Sequence, residues 1–334
     1  MEKIRVAIIG YGGIARVHNS AYAELKKEGY PLELVAVCER DLSRVTATLD
    51  FNLGTDNTPL PEGINLYTDV DDLIANENFD VADICLPTFL HKDMSVKLLD
   101  AGKHVLCEKP MALSSEDAKE MLDAAERNHK RLMVAHCVRF DPAYKYLKDC
   151  VDSMCFGTLD NLYMDRHSVY PSWGAGNTFA DNSKTGGCTL DTHIHDIDVA
   201  GYILGKPDSV SAVEFINLPY YQVVTSTLRY GDTTVVANCS WDSAYTTVFW
   251  AGYRARFERA SVVLEGGAVR VYPIDNEPYT PDIPAKNATV EEIREFLDSV
   301  KDTTRVDLIC PPTASYDSIR LIEQLRSAAK REEN

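Results

Sequence analysis

Five unbroken apolar runs, IRVAIIG, LELVAVC, VADICLP, HVLCE and RLMVAHC, punctuate the chain up to about residue 140. None alternates apolar with polar residues. Each strand must therefore be covered on both faces, as in a parallel sheet lying between two helix layers. Helical patterns occupy Gly13 to Glu28, Asp41 to Leu49, Leu90 to Ala101 and Ser114 to His129, where parallel strands need crossovers. The expectation is an α/β, Rossmann-type doubly wound parallel sheet over residues 1–138.

Beyond that point the pattern changes. A helix is expected from Pro142 to Ser153, then a loop rich in Gly, Ser and Asn from Pro171 to Gly187. The runs SVSAVEFINL, YQVVTSTLRY, TTVVANCSW, TTVFWAGYRA, RFERASVVLEG and AVRVYPI follow, with Gly-Asp and Gly-Gly turns. Their period of two indicates a large, mostly antiparallel sheet with one exposed face. Helices from Val290 to Val300 and Ala314 to Lys330 close the chain. With 334 residues, two domains are the default, and residues 139–334 are expected to form an α+β domain for substrate binding and oligomerisation.

The charge balance, 51 acidic against 34 basic residues and a net charge of −17, argues against a nucleic-acid partner, which needs clustered Lys and Arg. The opening MEKIRVAIIG is too short an apolar stretch for a signal peptide, and no run reaches membrane length, so a cytoplasmic protein without a membrane partner is expected. Nine cysteines stand at 38, 85, 107, 137, 150, 155, 188, 239 and 310 without a C-x-x-C pair or zinc-type spacing. Reduced, structural thiols are the expectation.

Chemistry enters at GYGGIARVH, Gly10 to His18, directly after the first strand. Gly10 allows a tight turn, Gly12 lets a pyrophosphate approach the backbone, and Ala15 permits close packing of helix on sheet. The helix opening at Gly13 and Ile14 presents N–H groups and a positive dipole end to phosphates. Glu39 ends the second strand 24 residues after Ala15, where a carboxylate binds ribose hydroxyls and repels a 2′-phosphate. NAD is thus favoured; NADP stays open because Arg40 offers a guanidinium beside it. An exposed turn is the bland alternative for Glu39 and Arg40.

The ten residues TLDTHIHDID, Thr189 to Asp198, hold two histidines and three aspartates. On a continuous helix Asp191, His195 and Asp198 share one face, and His193 points nearly the other way. The two histidines cannot easily share a metal ion, and no metal is expected here. An Asp one turn before a His makes either a proton-handling pair or a solvated or capping face, the latter suiting His193 and Asp196.

The glycine loop, LCEKPMAL (Leu106 to Leu113), LPTFLH (Leu86 to His91), VRFDPAY (Val138 to Tyr144), the pair Gly186 and Gly187 and the D-x-x-x-H of TLDTHIHDID together resemble the glucose-fructose oxidoreductase/inositol dehydrogenase/MocA family along essentially the whole chain. The resemblance implies an NAD(P)-dependent oxidoreductase that moves a hydride between nicotinamide and a secondary alcohol or ketone of a sugar, cyclitol or related polyol. It implies His195 as the base, assisted by Asp191 and Lys109, with Pro87, Thr88, His91, Glu108 and Lys109 joining the glycine loop, Glu39 and Arg40 around the cofactor. It also implies a homodimer or homotetramer through the C-terminal sheet. A lysine at the carboxyl end of a parallel strand can polarise a substrate oxygen, although a surface Lys109 paired with Glu108 is the bland alternative. The family often has a cis bond before the proline of Glu-Lys-Pro, and glycines where Cys188 and His193 stand; the two departures bear on pocket shape and substrate preference.

Arg139 suits a polar substrate or an acidic neighbour equally well. The loop carrying Arg166, Tyr170, Trp173 and Lys184 is expected to line the substrate pocket, with aromatic faces for sugar rings or for anchoring the loop. Two rival functions keep the same loop: an NAD-dependent glycosidase using transient oxidation, and a non-catalytic NAD and sugar sensor. A sensor has no need of Lys109, Asp191 and His195 together.

Overall fold

A computed structural model describes residues 3–47, 58–171, 175–218, 220–242 and 249–333. Contacts divide the chain into two units, Met1–Cys137 with Asn287–Tyr316, and Val138–Lys286 with Asp317–Asn334.

The first unit holds β1 (Ile4–Ile9), β2 (Leu32–Cys38), β3 (Asn65–Tyr67), β4 (Val81–Ile84), β5 (His104–Glu108) and β6 (Leu132–Ala135). They pair in parallel in the order β3-β2-β1-β4-β5-β6. The order reverses between β1 and β4, and ligands of such sheets bind at the carboxyl ends of the strands beside that reversal. The helices are α1 (Gly13–Lys27), α2 (Ser43–Thr46), α3 (Val70–Asn76), α4 (His91–Asp100) and α5 (Ser115–Arg127). The apolar runs are strands as expected, and β4 and β6 are buried at every residue. β3 and α3 were not foreseen: β3 has three residues, none of them buried, so no apolar run marks it. The helix expected over Asp41 to Leu49 is only the single turn of α2 among the described residues.

In the second unit α6 (Pro142–Ser153) precedes β7 (Leu159–Ser168), then α7 (Asn182–Thr185), α8 (Gly187–Asp191) and α9 (Ile194–Leu204). The sheet continues with β8 (Ser209–Asn217), β9 (Tyr221–Tyr230), β10 (Thr233–Asp242), β11 (Trp250–Phe257), β12 (Ala260–Glu265) and β13 (Ala268–Pro273). After α10 (Ala288–Lys301) and α11 (Pro312–Ala328) comes β14 (Lys330–Glu333). The eight strands run β13-β12-β11-β7-β10-β9-β8-β14. Only the β7–β10 and β8–β14 pairs are parallel, so the sheet is mostly antiparallel as the alternation implied. Two-residue turns join β9 to β10 at Gly231-Asp232 and β12 to β13 at Gly266-Gly267, and all three glycines have the positive φ that such turns demand. Along β9, Gln222, Val224, Ser226 and Leu228 are buried, and α8 packs against β9 and β10 on that side.

The expected boundary at residue 138 needs one correction: residues 287–316 rejoin the first unit. The apolar face of α10 provides the reason, for Ile293, Phe296 and Leu297 are fully buried and the helix packs on α1. Polar ties reinforce it, with the Tyr30 hydroxyl donating to Asp298 at 2.6 Å and the Arg131 Nε donating to the Ser299 carbonyl at 3.1 Å. Among the described residues, no helix is long and apolar enough to cross a membrane.

If α10 is part of the first core, Phe296→Ala should cost about 3–5 kcal/mol, the usual effect of emptying a buried aromatic site. Urea denaturation would show a lowered midpoint; an unchanged midpoint would contradict the packing.

Candidate active site

At the end of β1 the backbone turns at Gly10 with φ +87°, and a Cβ there would lie 2.8 Å from the Cys85 carbonyl oxygen. Only glycine fits. Gly12 caps α1 with no side-chain hydrogen bond, and a Cβ on it would meet nothing nearer than the Arg44 guanidinium at 4.0 Å. The first turn of α1, which begins at Gly13, Ile14 and Ala15, holds no acidic residue. A helix N-terminus of fifteen residues, uncapped by its own side chains and open beside Gly12, fits a pyrophosphate. Glu39 is buried at the end of β2, where its carboxylate accepts from the Tyr11 N–H at 2.8 Å and the Asp41 N–H at 3.1 Å. Arg40 is exposed beside it. Arg44, which the sequence reading did not single out, places its cation by the glycine loop.

The Glu-Lys-Pro turn at the end of β5 has a cis Lys109-Pro110 bond. Two buried histidines frame it. His91, expected at the cofactor, sits against two backbone carbonyls, with Nδ1 2.8 Å from the Pro110 oxygen and Nε2 2.7 Å from the Leu86 oxygen. Burial pushes its pKa down, against the two carbonyls, which favour the charged ring. The ring ties β4's exit to the turn. Pro87 precedes a single 3-10 turn, Thr88–Leu90, that leads into α4.

His18 is the second. Its Nδ1 lies 2.8 Å from Asp83 Oδ2 and its Nε2 3.0 Å from Glu108 Oε1, while the Tyr22 hydroxyl donates to Asp83 at 2.9 Å. Burial alone would lower the His18 pKa; the charge of Asp83, helped by Cys85, overrides this and raises it well above the ordinary value. Burial works to raise the Glu108 pKa, but the hydrogen bond and charge of His18, followed by Lys109, hold it below the usual range. His18 and Asp83 were missed, although an aspartate within VADIC, a strand buried on both faces, has to find a partner. His18, Asp83 and Cys85 also bring metal-type ligand atoms within 4.8 Å of one another.

In the second unit the helix expected through Thr189 to Asp198 is interrupted. α8 ends at Asp191, Thr192 and His193 form a turn, and α9 starts at Ile194. The face expected to collect Asp191, His195 and Asp198 is correspondingly broken. Asp198 is buried and accepts from Arg139 Nε at 2.7 Å and from Ser318 at 2.7 Å. Asp196 and His193, expected at a solvated face, are both 0% exposed. Asp196 takes two hydrogen bonds from Arg166, at 2.8 and 3.0 Å, and His193 Nε2 lies 2.8 Å from the Ser226 hydroxyl. Of these ten residues, only Asp191 and His195 are not buried. Trp241 Nε1 donates to the Thr192 hydroxyl at 2.8 Å, and that hydroxyl donates to Asp191 at 3.3 Å, which helps to fix the carboxylate.

The residues expected to meet substrate are placed differently. Arg166 lies on β7 rather than in a loop, and both it and Arg139 are buried in two-point ion pairs with aspartates. Burial works against the Arg166 charge, and Asp196 offsets this, holding the pKa above its ordinary value. Tyr170 packs edge-on against Trp241 with ring centres 5.7 Å apart, and its hydroxyl donates to the Phe179 carbonyl, so it anchors its loop. Trp173 lies outside the described residues. Cys188, where the family often has glycine, packs in the core with Val224, Cys239 and Trp241.

Fold and loop together define a Rossmann-type dinucleotide-binding protein with a second α+β unit. Residues 4–136 match a family model described as an oxidoreductase family with an NAD-binding Rossmann fold, and residues 144–270 match the GFO/IDH/MocA C-terminal domain. The chain belongs to the Gfo/Idh/MocA family. It is 31% identical over 255 residues to D-glucoside 3-dehydrogenase of Escherichia coli, covering 73% of this chain and 66% of that protein. It is 28% identical over 216 residues to levoglucosan dehydrogenase of Pseudarthrobacter phenanthrenivorans, covering 64% of this chain and 54% of the relative. The match thus spans less than two thirds of each relative's length. The solved structure of aldose-aldose oxidoreductase from Caulobacter crescentus, complexed with glycerol, has the same fold, with a TM-score of 0.81 at 22% identity over 98% of this chain and 97% of that one.

The Arg166–Asp196 pair is fully enclosed, so Asp196→Ala should destabilise the protein by about 3–5 kcal/mol by stranding a buried cation. Adding Arg166→Met should recover part of the loss in the same denaturation assay. A neutral Asp196→Ala would contradict the pairing.

Proposed function

We propose that the protein is an NAD(P)-dependent oxidoreductase acting on a secondary alcohol or ketone of a sugar, cyclitol or related polyol, with NAD favoured. The observation that carries this is that Asp191 and His195 stay partly accessible in a segment whose other eight residues are buried. The relatives' names, a glucoside and a levoglucosan dehydrogenase, support the substrate class.

In this reading Gly10, Gly12, Gly13, Ile14 and Ala15 hold the pyrophosphate, and Glu39 takes the ribose hydroxyls. Its buried carboxylate disfavours a 2′-phosphate. Pro87, Thr88 and Glu108 belong to the strand exits that border the cofactor, with His91 holding two of those exits together. Bound NAD supplies the hydride acceptor. His195 takes the hydroxyl proton, and Asp191 favours the charged imidazole that results. Lys109, as the family resemblance implies, polarises a substrate oxygen.

A cytoplasmic homodimer or homotetramer formed through the C-terminal sheet completes the proposal. Exposed aromatic residues on three of its strands, Tyr163, Trp250 and Tyr272, support a sheet face that self-associates.

One paired experiment tests the site. The wild type should bind NADH more tightly than NADPH in a fluorescence titration, and His195→Ala should bind NADH nearly as well. On an alcohol that the wild type oxidises, His195→Ala should turn over about 100-fold slower or worse, the scale expected on losing a general base. Unchanged turnover would remove His195 from the mechanism.

A further inference from the structure

His18 is flanked on both ring nitrogens by carboxylates, Asp83 on β4 and Glu108 on β5. An ionised carboxylate only accepts hydrogen bonds, and the doubly protonated ring is the form of His18 that donates to one on each side, in keeping with its raised pKa. Its partner Glu108 has two oxygens with different tasks. Oε1 faces His18, and Oε2 accepts the backbone N–H of Lys109 at 3.0 Å. On the far side His18 is held by Asp83, which also accepts from Tyr22. The Cys85 thiol, 3.7 Å from His18 Nδ1, completes the surroundings, its pKa pushed up by burial to about 12.

We propose that His18 is a positioning residue for Lys109: its imidazolium fixes Glu108, and Glu108 fixes the backbone on which Lys109 is presented. This rests on the reading of Lys109 as a group that acts on substrate. A charged side chain buried beside the turn costs desolvation, and the pairing of two anions with one imidazolium and the neighbouring ammonium balances the cluster. A packing role alone needs no bond from Glu108 to the Lys109 backbone. A metal ion between His18, Asp83 and Cys85 is the other use of these groups. It is disfavoured by the 2.8 Å separation of Nδ1 and Oδ2, which is a direct hydrogen bond.

Two conservative variants separate the possibilities. In His18→Gln the amide nitrogen reaches where Nε2 was and still donates to Glu108. In His18→Asn it reaches where Nδ1 was and donates to Asp83 instead. Hydrogen exchange of the Lys109 amide, corrected for global stability, should speed up about 10-fold or more in His18→Asn, the factor that one charge-assisted hydrogen bond confers. It should stay close to wild type in His18→Gln. If His18→Asn does not fold, Glu108→Ala, which removes both the partner of His18 and the acceptor of the Lys109 N–H, should show the same acceleration, and a wild-type rate there would overturn the proposal.

Equal exchange in the two His18 variants would overturn the proposal. So would stoichiometric metal in the purified protein that is lost in both. With an alcohol that the wild type oxidises, kcat should fall in His18→Asn and be rescued in His18→Gln, with the KM for NAD little changed. A wild type that binds no NADH would defeat the functional reading, while the exchange measurement would still decide the role of His18.

Discussion

The pairing of buried charge fixes where the candidate chemistry can sit. In the second unit two arginines reach two aspartates of α9, Arg139 to Asp198 and Arg166 to Asp196, with both partners almost wholly removed from water. Such pairs add little net stability over an apolar core, but neither partner can leave, so they define the helix's rotation strictly. With Asp196, Asp198 and His193 turned inward, Asp191 and His195 are the two residues of the segment that stay partly accessible. The first unit applies the same rule at His18, where one imidazolium joins the carboxyl ends of β4 and β5.

Glycines do the complementary work. Gly10 brings β1 so close to Cys85 that no side chain fits, which closes the sheet around the switch point. Gly186 and Gly187, at φ +74° and +63°, let the chain enter α8 against Leu190, Asn182 and Gln222. The Gln222 side chain then accepts the Cys188 N–H at 3.0 Å and donates to Asn182 at 3.1 Å. The Gly186 junction between α7 and α8 is therefore held by a side chain of β9.

Much of this was legible in the sequence because its signals are local. Unbroken apolar strands mark a doubly buried sheet, alternation marks the second one, and Gly10 to Ala15 stands where a phosphate loop must. β7 stayed hidden because Arg166 occupies an inward position between Met164 and Ser168, so its alternation reads as polar. The pairing of that arginine depends on Asp196, thirty residues away, which no local pattern reveals. The break at Thr192 and His193 was missed for a related reason: helical spacing was sound, but Trp241 of β10 bonds Thr192 and Ser226 of β9 bonds His193. The return of α10 to the first unit is likewise a matter of long-range packing.

The central claim is hydride transfer from a polyol carbon to NAD. The most direct measurement is absorbance at the reduced-nicotinamide band after NAD and a panel of sugars, inositols and polyols are added to the purified protein. The account predicts accumulation of NADH with at least one class of these alcohols. Tight NADH binding without reduction by any of them, or consumption of a glycoside with no net NADH, would contradict it.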